Sequence, residues 1–178
     1  MTTRYTTATL GALLMAGMLN AQGATGTTTV SVAIAAEASL NITTGSTALT
    51  TSGTTFSNPF TGSTSLTYKI RTTKVGGSGT ITLKVTSDFS PANGPSVATP
   101  PTGGDALTYT CTLAAPGTAC TGSLTSSTTA STSVGTFGTD AKSTSGGNTG
   151  TINWSLTNDP LYSTGSYSAT VTFTIAAL

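Results

Sequence analysis

The side chains that could do chemistry are few in this chain and lie far apart. Its five carboxylates are Glu37, Asp88, Asp105, Asp140 and Asp159, and no two are adjacent. The chain has no histidine, so it lacks the commonest general base and the commonest neutral metal ligand. An acid–base pair would have to assemble from scattered Asp residues, and no Ser or Thr hydroxyl has a visible base to activate it. The sequence therefore predicts no catalytic residue, no cofactor and no metal site, which argues against an enzyme.

The aspartates have a simpler explanation in local backbone structure. All four lie near predicted turns, where an Asp carboxylate commonly accepts hydrogen bonds from its own neighbouring backbone. A calcium-binding loop is the alternative, but the D-x-D-x-D spacing that would support one is absent. We interpret these residues as turn formers.

Cys111 and Cys120 are the only cysteines, and they flank the segment TLAAPGTA. A hairpin that turns at Ala115–Pro116 would place the two cysteines opposite each other. In an exported protein such a pair predicts a disulfide, and a redox or metal site would need C-x-x-C spacing or histidine. We predict a structural disulfide between Cys111 and Cys120.

The N-terminal segment has the pattern of a secretory signal peptide. Arg4 precedes an apolar stretch from Leu10 to Leu19, and Ala21 and Gly23 fit a small-residue cleavage site. The stretch is shorter than the ~20 residues of a spanning helix, so no membrane insertion is expected in the mature form. We predict a signal peptide over residues 1–23 and a secreted protein at the cell surface or outside the cell, passing through the periplasm if the cell is Gram-negative.

Charge is sparse and balanced, with 6 Lys and Arg against 5 Asp and Glu. A nucleic-acid-binding protein needs a basic patch to neutralise phosphates, so nucleic acid is not expected as a partner.

A period of two runs through most of the chain, and the residues between the apolar positions are largely Thr. Alternation of this kind predicts half-buried strands with a solvated, β-branched outer face. Outside the signal peptide no helical period is seen. The fold class expected is all-β, a single Ig-like, Greek-key antiparallel β-sandwich of about eight strands over residues 37–178. The apolar positions of the stripes are Leu40, Ile42, Leu66, Tyr68, Ile70, Ile81, Leu83, Val85, Leu107, Tyr109, Ile152, Trp154, Leu156, Val171, Phe173 and Ile175.

Three local predictions accompany this fold. The strands around Ile70 and Ile81 should form a hairpin, because Gly76 and Gly77 lie between them. Residues 121–151 should contain only one or two short edge strands or a mobile loop. Trp154 should be a core residue because it lies on the same face of its strand as Ile152 and Leu156.

The stretch after the cleavage site, TTTVSVAIAAEASLNI, alternates for longer than one strand requires. It either bends to serve both sheets, or residues 24–36 are a detachable strand that inserts into a neighbouring subunit. With the closing GSYSATVTFTIAAL, the chain resembles bacterial pilin-like secreted sandwiches of the chaperone–usher and spore coat protein U type. The resemblance implies assembly by strand addition, with Val30, Val32 and Ile34 as the inserting residues. Members commonly carry a cysteine near the end of the first strand, where this chain has Leu40.

The function expected is that of a threonine-rich structural subunit of the cell surface, pilin-like or fimbria-like, which self-associates into a polymer. The alternative is a monomeric extracellular binding module for a polysaccharide or an adhesive contact, using loops around residues 88–105 and Tyr162. A third possibility is ice binding through two Thr-x-Thr ladders, at Thr108–Thr110–Thr112 and at Thr170–Thr172–Thr174.

Overall fold

A computed structural model describes residues 25–178. The chain divides into two units, Met1–Ala33 and Ile34–Leu178. Residues 25–33 of the first unit have no regular secondary structure, and the predicted signal peptide lies outside the described residues. The second unit contains ten strands: β1 (Glu37–Ile42), β2 (Thr50–Thr51), β3 (Phe60–Arg71), β4 (Gly79–Ser90), β5 (Leu107–Leu113), β6 (Thr118–Ala119), β7 (Leu124–Thr125), β8 (Thr132–Phe137), β9 (Asn148–Leu156) and β10 (Ser168–Ala177).

The strands form two antiparallel sheets. Sheet A has the order β1-β3-β9-β5-β7, and β2 also pairs with β3. Sheet B has the order β10-β4-β8-β6. The predicted all-β sandwich is confirmed. The structure has ten strands where about eight were predicted, and three of them, β2, β6 and β7, are only two residues long. No helix among residues 25–178 is long and apolar enough to cross a membrane.

The core lies between the sheets and is made by the alternating apolar positions. Along β3, Leu66, Tyr68 and Ile70 point inward and are buried, while Thr67 and Lys69 between them are partly or fully exposed. Trp154 is also buried, as predicted, and packs against the ring of Tyr109 with centroids 5.6 Å apart. Thr is well suited to the outer positions because its branched Cβ favours the extended backbone.

The predicted β3–β4 hairpin is wrong. β3 belongs to sheet A and β4 to sheet B, and residues 72–78 carry the chain from one sheet to the other. This connection is longer than the two to five residues typical of a hairpin loop, and sheets pack roughly 10 Å apart, so it spans the sandwich. It also holds the end of β10, since the backbone of Leu178 exchanges hydrogen bonds with Ser78 at 2.8 and 3.2 Å and accepts one from Thr73 at 3.0 Å.

Residues 121–151 are more ordered than the sequence suggests. β7 is an edge strand of sheet A, as expected, but β8 lies inside sheet B between β4 and β6. Val134 and Phe137 of β8 are buried in the core. These two residues are the apolar side chains of β8, whose other four residues are Thr, Ser and Gly.

Candidate functional site

At one lateral edge of the sandwich the inward side chains are incompletely covered. β1 is the edge strand of sheet A and β10 that of sheet B, and the two strands contact each other. Their inward side chains are only partly buried, whereas the inward side chains of the strands beside them, such as Leu66 of β3 and Leu83 of β4, are almost completely buried. We call this surface the open edge. Its larger apolar side chains are Leu40 and Ile42 of β1 and Val171, Phe173 and Ile175 of β10.

The free edge of β10 lacks the features that usually prevent an edge strand from pairing with another chain. Edge strands of native proteins are commonly shielded by charged residues, proline, bulges or short length, since their free backbone groups can pair with another chain. β10 is ten residues long, reads SATVTFTIAA, and has neither charge nor proline. Its irregular pairing with β4 is confined to the region between Ser168 and Val171, so the remainder presents a regular free edge.

The other lateral edge is closed by the disulfide. Cys111 and Cys120 are bonded, which confirms the predicted pair. The predicted hairpin geometry is wrong, because Cys111 lies on β5 of sheet A whereas Cys120 follows β6 and hydrogen-bonds to Val134 of sheet B. The bond therefore joins the two sheets instead of two strands of one ladder. Ala115 and Pro116 form the crossing between the sheets.

The residues predicted to insert into a neighbour are exposed. Val30, Val32 and Ile34 are 90%, 82% and 67% exposed as whole residues, and residues 25–36 form no strand. Regular structure begins at Glu37, the first residue of β1. Arg71 anchors the start of β1. Its Nε donates a hydrogen bond to the carbonyl oxygen of Ala35 at 2.9 Å, and its Nη2 forms an ion pair with Glu37 at 3.0 Å.

Asp88 organises one of the loops named for the binding-module alternative. Its carboxylate accepts hydrogen bonds from the N–H groups of Phe89, Val97 and Ala98 and from the hydroxyl of Ser96, at 2.7–3.0 Å. Burial raises the pKa of Asp88, but these hydrogen bonds outweigh it and the net shift is downward. The role is structural, in agreement with its interpretation as a turn former.

Asp105 and Asp159 lie together, which the sequence did not reveal. Burial and the neighbouring carboxyl of Asp159 raise the pKa of Asp105. Hydrogen bonds from Thr102 and from the N–H of Leu161 lower the pKa of Asp159. Tyr162, proposed from the sequence as an exposed contact, is partly buried, and burial and the two carboxylates raise its pKa to about 12.

Phe56 is an exposed aromatic residue that parity could not identify, because it lies in the loop between β2 and β3. It is 63% exposed and lines a hollow of about 200 Å³ with mainly polar neighbours. The hydroxyl and amide groups around it belong to Ser57, Thr108, Ser155, Thr157 and Asn158.

The two Thr ladders considered for ice binding lie in different sheets. Thr108, Thr110 and Thr112 are on β5 of sheet A, and Thr170, Thr172 and Thr174 are on β10 of sheet B. They therefore do not combine into one array. Across residues 25–178, no group of three or more His, Cys, Asp or Glu side chains comes together as a metal site.

Comparison with protein-family models, with curated proteins and with solved structures finds no match to this chain.

Proposed function

We propose that this chain is a non-enzymatic structural subunit of the cell surface, pilin-like, that polymerises when the N-terminal strand of one copy adds to the open edge of the next. The observation that carries the proposal is the open edge itself, where the inward side chains of β1 and β10 are incompletely covered. An Ig-like, Greek-key sandwich exported through a signal peptide is the setting that the resemblance implies for such a subunit.

The chain supplies a segment suited to cover this edge. Val30, Val32 and Ile34 share one parity and are all exposed, so an extended strand presents them on one face. Residues 27–36 match the length of β10, which spans Ser168–Ala177. If β1 moves away from β10, which it contacts in the isolated chain, such a strand added beside β10 gains a backbone ladder, and its alternate side chains cover Val171, Phe173 and Ile175.

Insertion into another copy is favoured over insertion into the same one. No Gly, Pro, Asn or Asp lies between Val30 and Leu40, so the segment that leads into β1 lacks the strongest turn-forming residues and has only Ser31 and Ser39 as weaker ones. Reversal would be needed for it to lie between its own β1 and β10. Each subunit would therefore donate one strand and accept one, which gives a head-to-tail, open-ended polymer.

The test compares two aspartate substitutions of opposite parity in the mature chain. Val32→Asp places a charge on the inserting face, whereas Ala33→Asp places the same charge on the outer face. We expect filaments in negative-stain electron microscopy and high-mass species in size-exclusion chromatography from the unmodified chain and from Ala33→Asp, and monomers from Val32→Asp. Equal assembly of the two variants, or of a chain lacking residues 24–36, would contradict the proposal.

A second candidate function rests on Phe56. An exposed aromatic ring beside hydroxyl and amide groups is a suitable contact for a sugar, since the ring stacks on its apolar face and the polar groups bond its hydroxyls. Binding of soluble polysaccharides that is lost in Phe56→Ala but kept in Phe60→Leu, which alters an aromatic residue of the adjoining strand, would support an extracellular glycan as partner. Binding that both variants retain would exclude this hollow.

A further inference from the structure

The register of two strands brings Asp105 and Asp159 together. β5 and β9 are antiparallel neighbours with Leu107 opposite Leu156, and this pair is the last of their ladder. Asp105 comes shortly before Leu107, and Asp159 shortly after Leu156. Both aspartates therefore emerge at the same end of the same ladder, within the loops that leave it.

Each of these carboxylates has an oxygen that the protein leaves without a donor. Asp159 is 5% exposed, and its Oδ1 accepts a hydrogen bond from the N–H of Leu161 at 2.8 Å. The Oδ2 atoms of Asp159 and of Asp105 are buried and have no hydrogen-bond partner. A buried, unpartnered carboxylate oxygen is strongly unfavourable, and two in one loop cluster also repel each other.

No basic side chain relieves this repulsion. The two salt bridges formed within residues 25–178 use Glu37 and Asp140, so neither Asp105 nor Asp159 has a Lys or Arg partner. Besides the backbone N–H of Leu161, the polar groups close to the pair include the hydroxyls of Thr102 and Thr157 and the phenol of Tyr162. Two arrangements can relieve the repulsion: a proton on Asp105 that is shared with Asp159, or a cation bound to both carboxylates.

We propose that Asp105 and Asp159 hold a divalent cation, calcium by preference, at the end of the β5–β9 ladder. Carboxylate and hydroxyl oxygens on irregular loops suit Ca²⁺, which accepts six to eight oxygen ligands in variable geometry, better than Mg²⁺, which demands a near-regular octahedron. Water completes the coordination. With only two carboxylates the affinity belongs to the range of extracellular modules, roughly 10⁻⁴–10⁻³ M. This site is independent of the proposed strand addition.

The first measurement is calcium binding to the unmodified mature chain, by isothermal titration calorimetry with CaCl₂ alone. Saturable binding of one Ca²⁺ is expected, and a Ca²⁺ concentration ten times the dissociation constant should raise the thermal midpoint by about 3–6 °C. The absence of saturable binding up to ~10 mM would overturn the proposal. A shift of equal size with MgCl₂ would overturn the preference for calcium.

Three substitutions locate the site. Asp105→Asn and Asp159→Asn should each weaken binding at least tenfold, while Asp140→Asn, which alters an exposed aspartate paired with Lys142, should leave it unchanged. Terbium luminescence excited through the nearby ring of Tyr162 gives a direct readout, which Ca²⁺ should quench by displacement and which Tyr162→Phe should retain only in part. Binding that survives both Asp105→Asn and Asp159→Asn would overturn the assignment. If either variant fails to fold, the calorimetric result on the unmodified chain still decides whether the cation binds.

Discussion

Cys111 and Cys120 are bonded between the two sheets, with their Cα atoms 5.5 Å apart. Packed sheets are usually roughly 10 Å apart, so the sandwich narrows at this edge and is covalently closed there. The opposite edge, where β1 and β10 meet, has no such closure and has partly exposed inward side chains. The proposed assembly uses the open edge, and the disulfide holds the two sheets together at the other edge.

Removing the disulfide should destabilise the fold without preventing it. For a sequence separation of 9 residues, the chain-entropy model gives a loss of about 2–3 kcal/mol in the free energy of unfolding for Cys111→Ala/Cys120→Ala. Urea denaturation followed by Trp154 fluorescence measures this difference. The unmodified protein under reducing conditions is the matched control and should lose a similar amount; unchanged stability in both would show that the bond does not stabilise the fold.

The buried indole of Trp154 should depend on a single hydroxyl. Its Nε1 donates to the Oγ1 of Thr64 at 2.8 Å inside the core. Thr64→Val keeps the shape but leaves the indole N–H unpaired, and we expect a loss of about 1–3 kcal/mol. Thr61→Val, on the outer face of the same strand, should change stability by less than about 0.5 kcal/mol. Equal effects in chemical denaturation would show that the hydrogen bond contributes little.

Gly150 of β9 gives room to the side chain of Leu113. A Cβ at Gly150 would lie 2.5 Å from Cδ2 of Leu113 and 2.8 Å from Cδ1 of Leu66. Gly150→Ala should therefore lower stability by about 1–3 kcal/mol through overpacking. Adding Leu113→Ala should recover part of that loss, so the two changes are coupled by about 1 kcal/mol or more. Gly146→Ala, where a Cβ meets no atom within 4 Å, is the control; strict additivity of the first pair would refute the packing argument.

Stability should fall in acid partly through Asp88. Its pKa is lower in the folded state than in the unfolded chain, so the folded state binds the proton less well. The stabilisation is therefore complete above the unfolded value of roughly 4 and is lost as the pH falls through the folded value. Asp88→Asn should lower the free energy of unfolding at pH 7 and should make that free energy decrease less as the pH falls. Chemical denaturation measured from pH 7 to pH 2 tests this. If the variant loses as much stability in acid as the unmodified chain, that loss is due to other carboxylates.

The sequence predicted burial better than it predicted pairing. Alternation fixed which side chains of β3, β5 and β9 point inward, because a strand has a strict period of two. It could not assign β3 and β4 to different sheets, nor place Cys111 and Cys120 across the sandwich, since pairing depends on contacts between distant segments. The proximity of Asp105 to Asp159 follows from the β5–β9 register, which is likewise a contact between distant segments. Phe56 lies in a loop, where the alternation of inward and outward side chains does not apply. Val30, Val32 and Ile34 were selected by pattern and resemblance, and the assembly role assigned to them stays a prediction.

The short ladder between β1 and β3 has a mechanical consequence. Six consecutive residue pairs, from Glu37 with Arg71 to Ile42 with Leu66, join these antiparallel strands, and the segment proposed to bind the next subunit runs directly into β1. Tension directed along β1 would load the hydrogen bonds of this ladder together in shear and would not peel them apart one by one. In a filament built in this way, tension that enters a subunit through its donated strand would be carried first by these six pairs within the subunit.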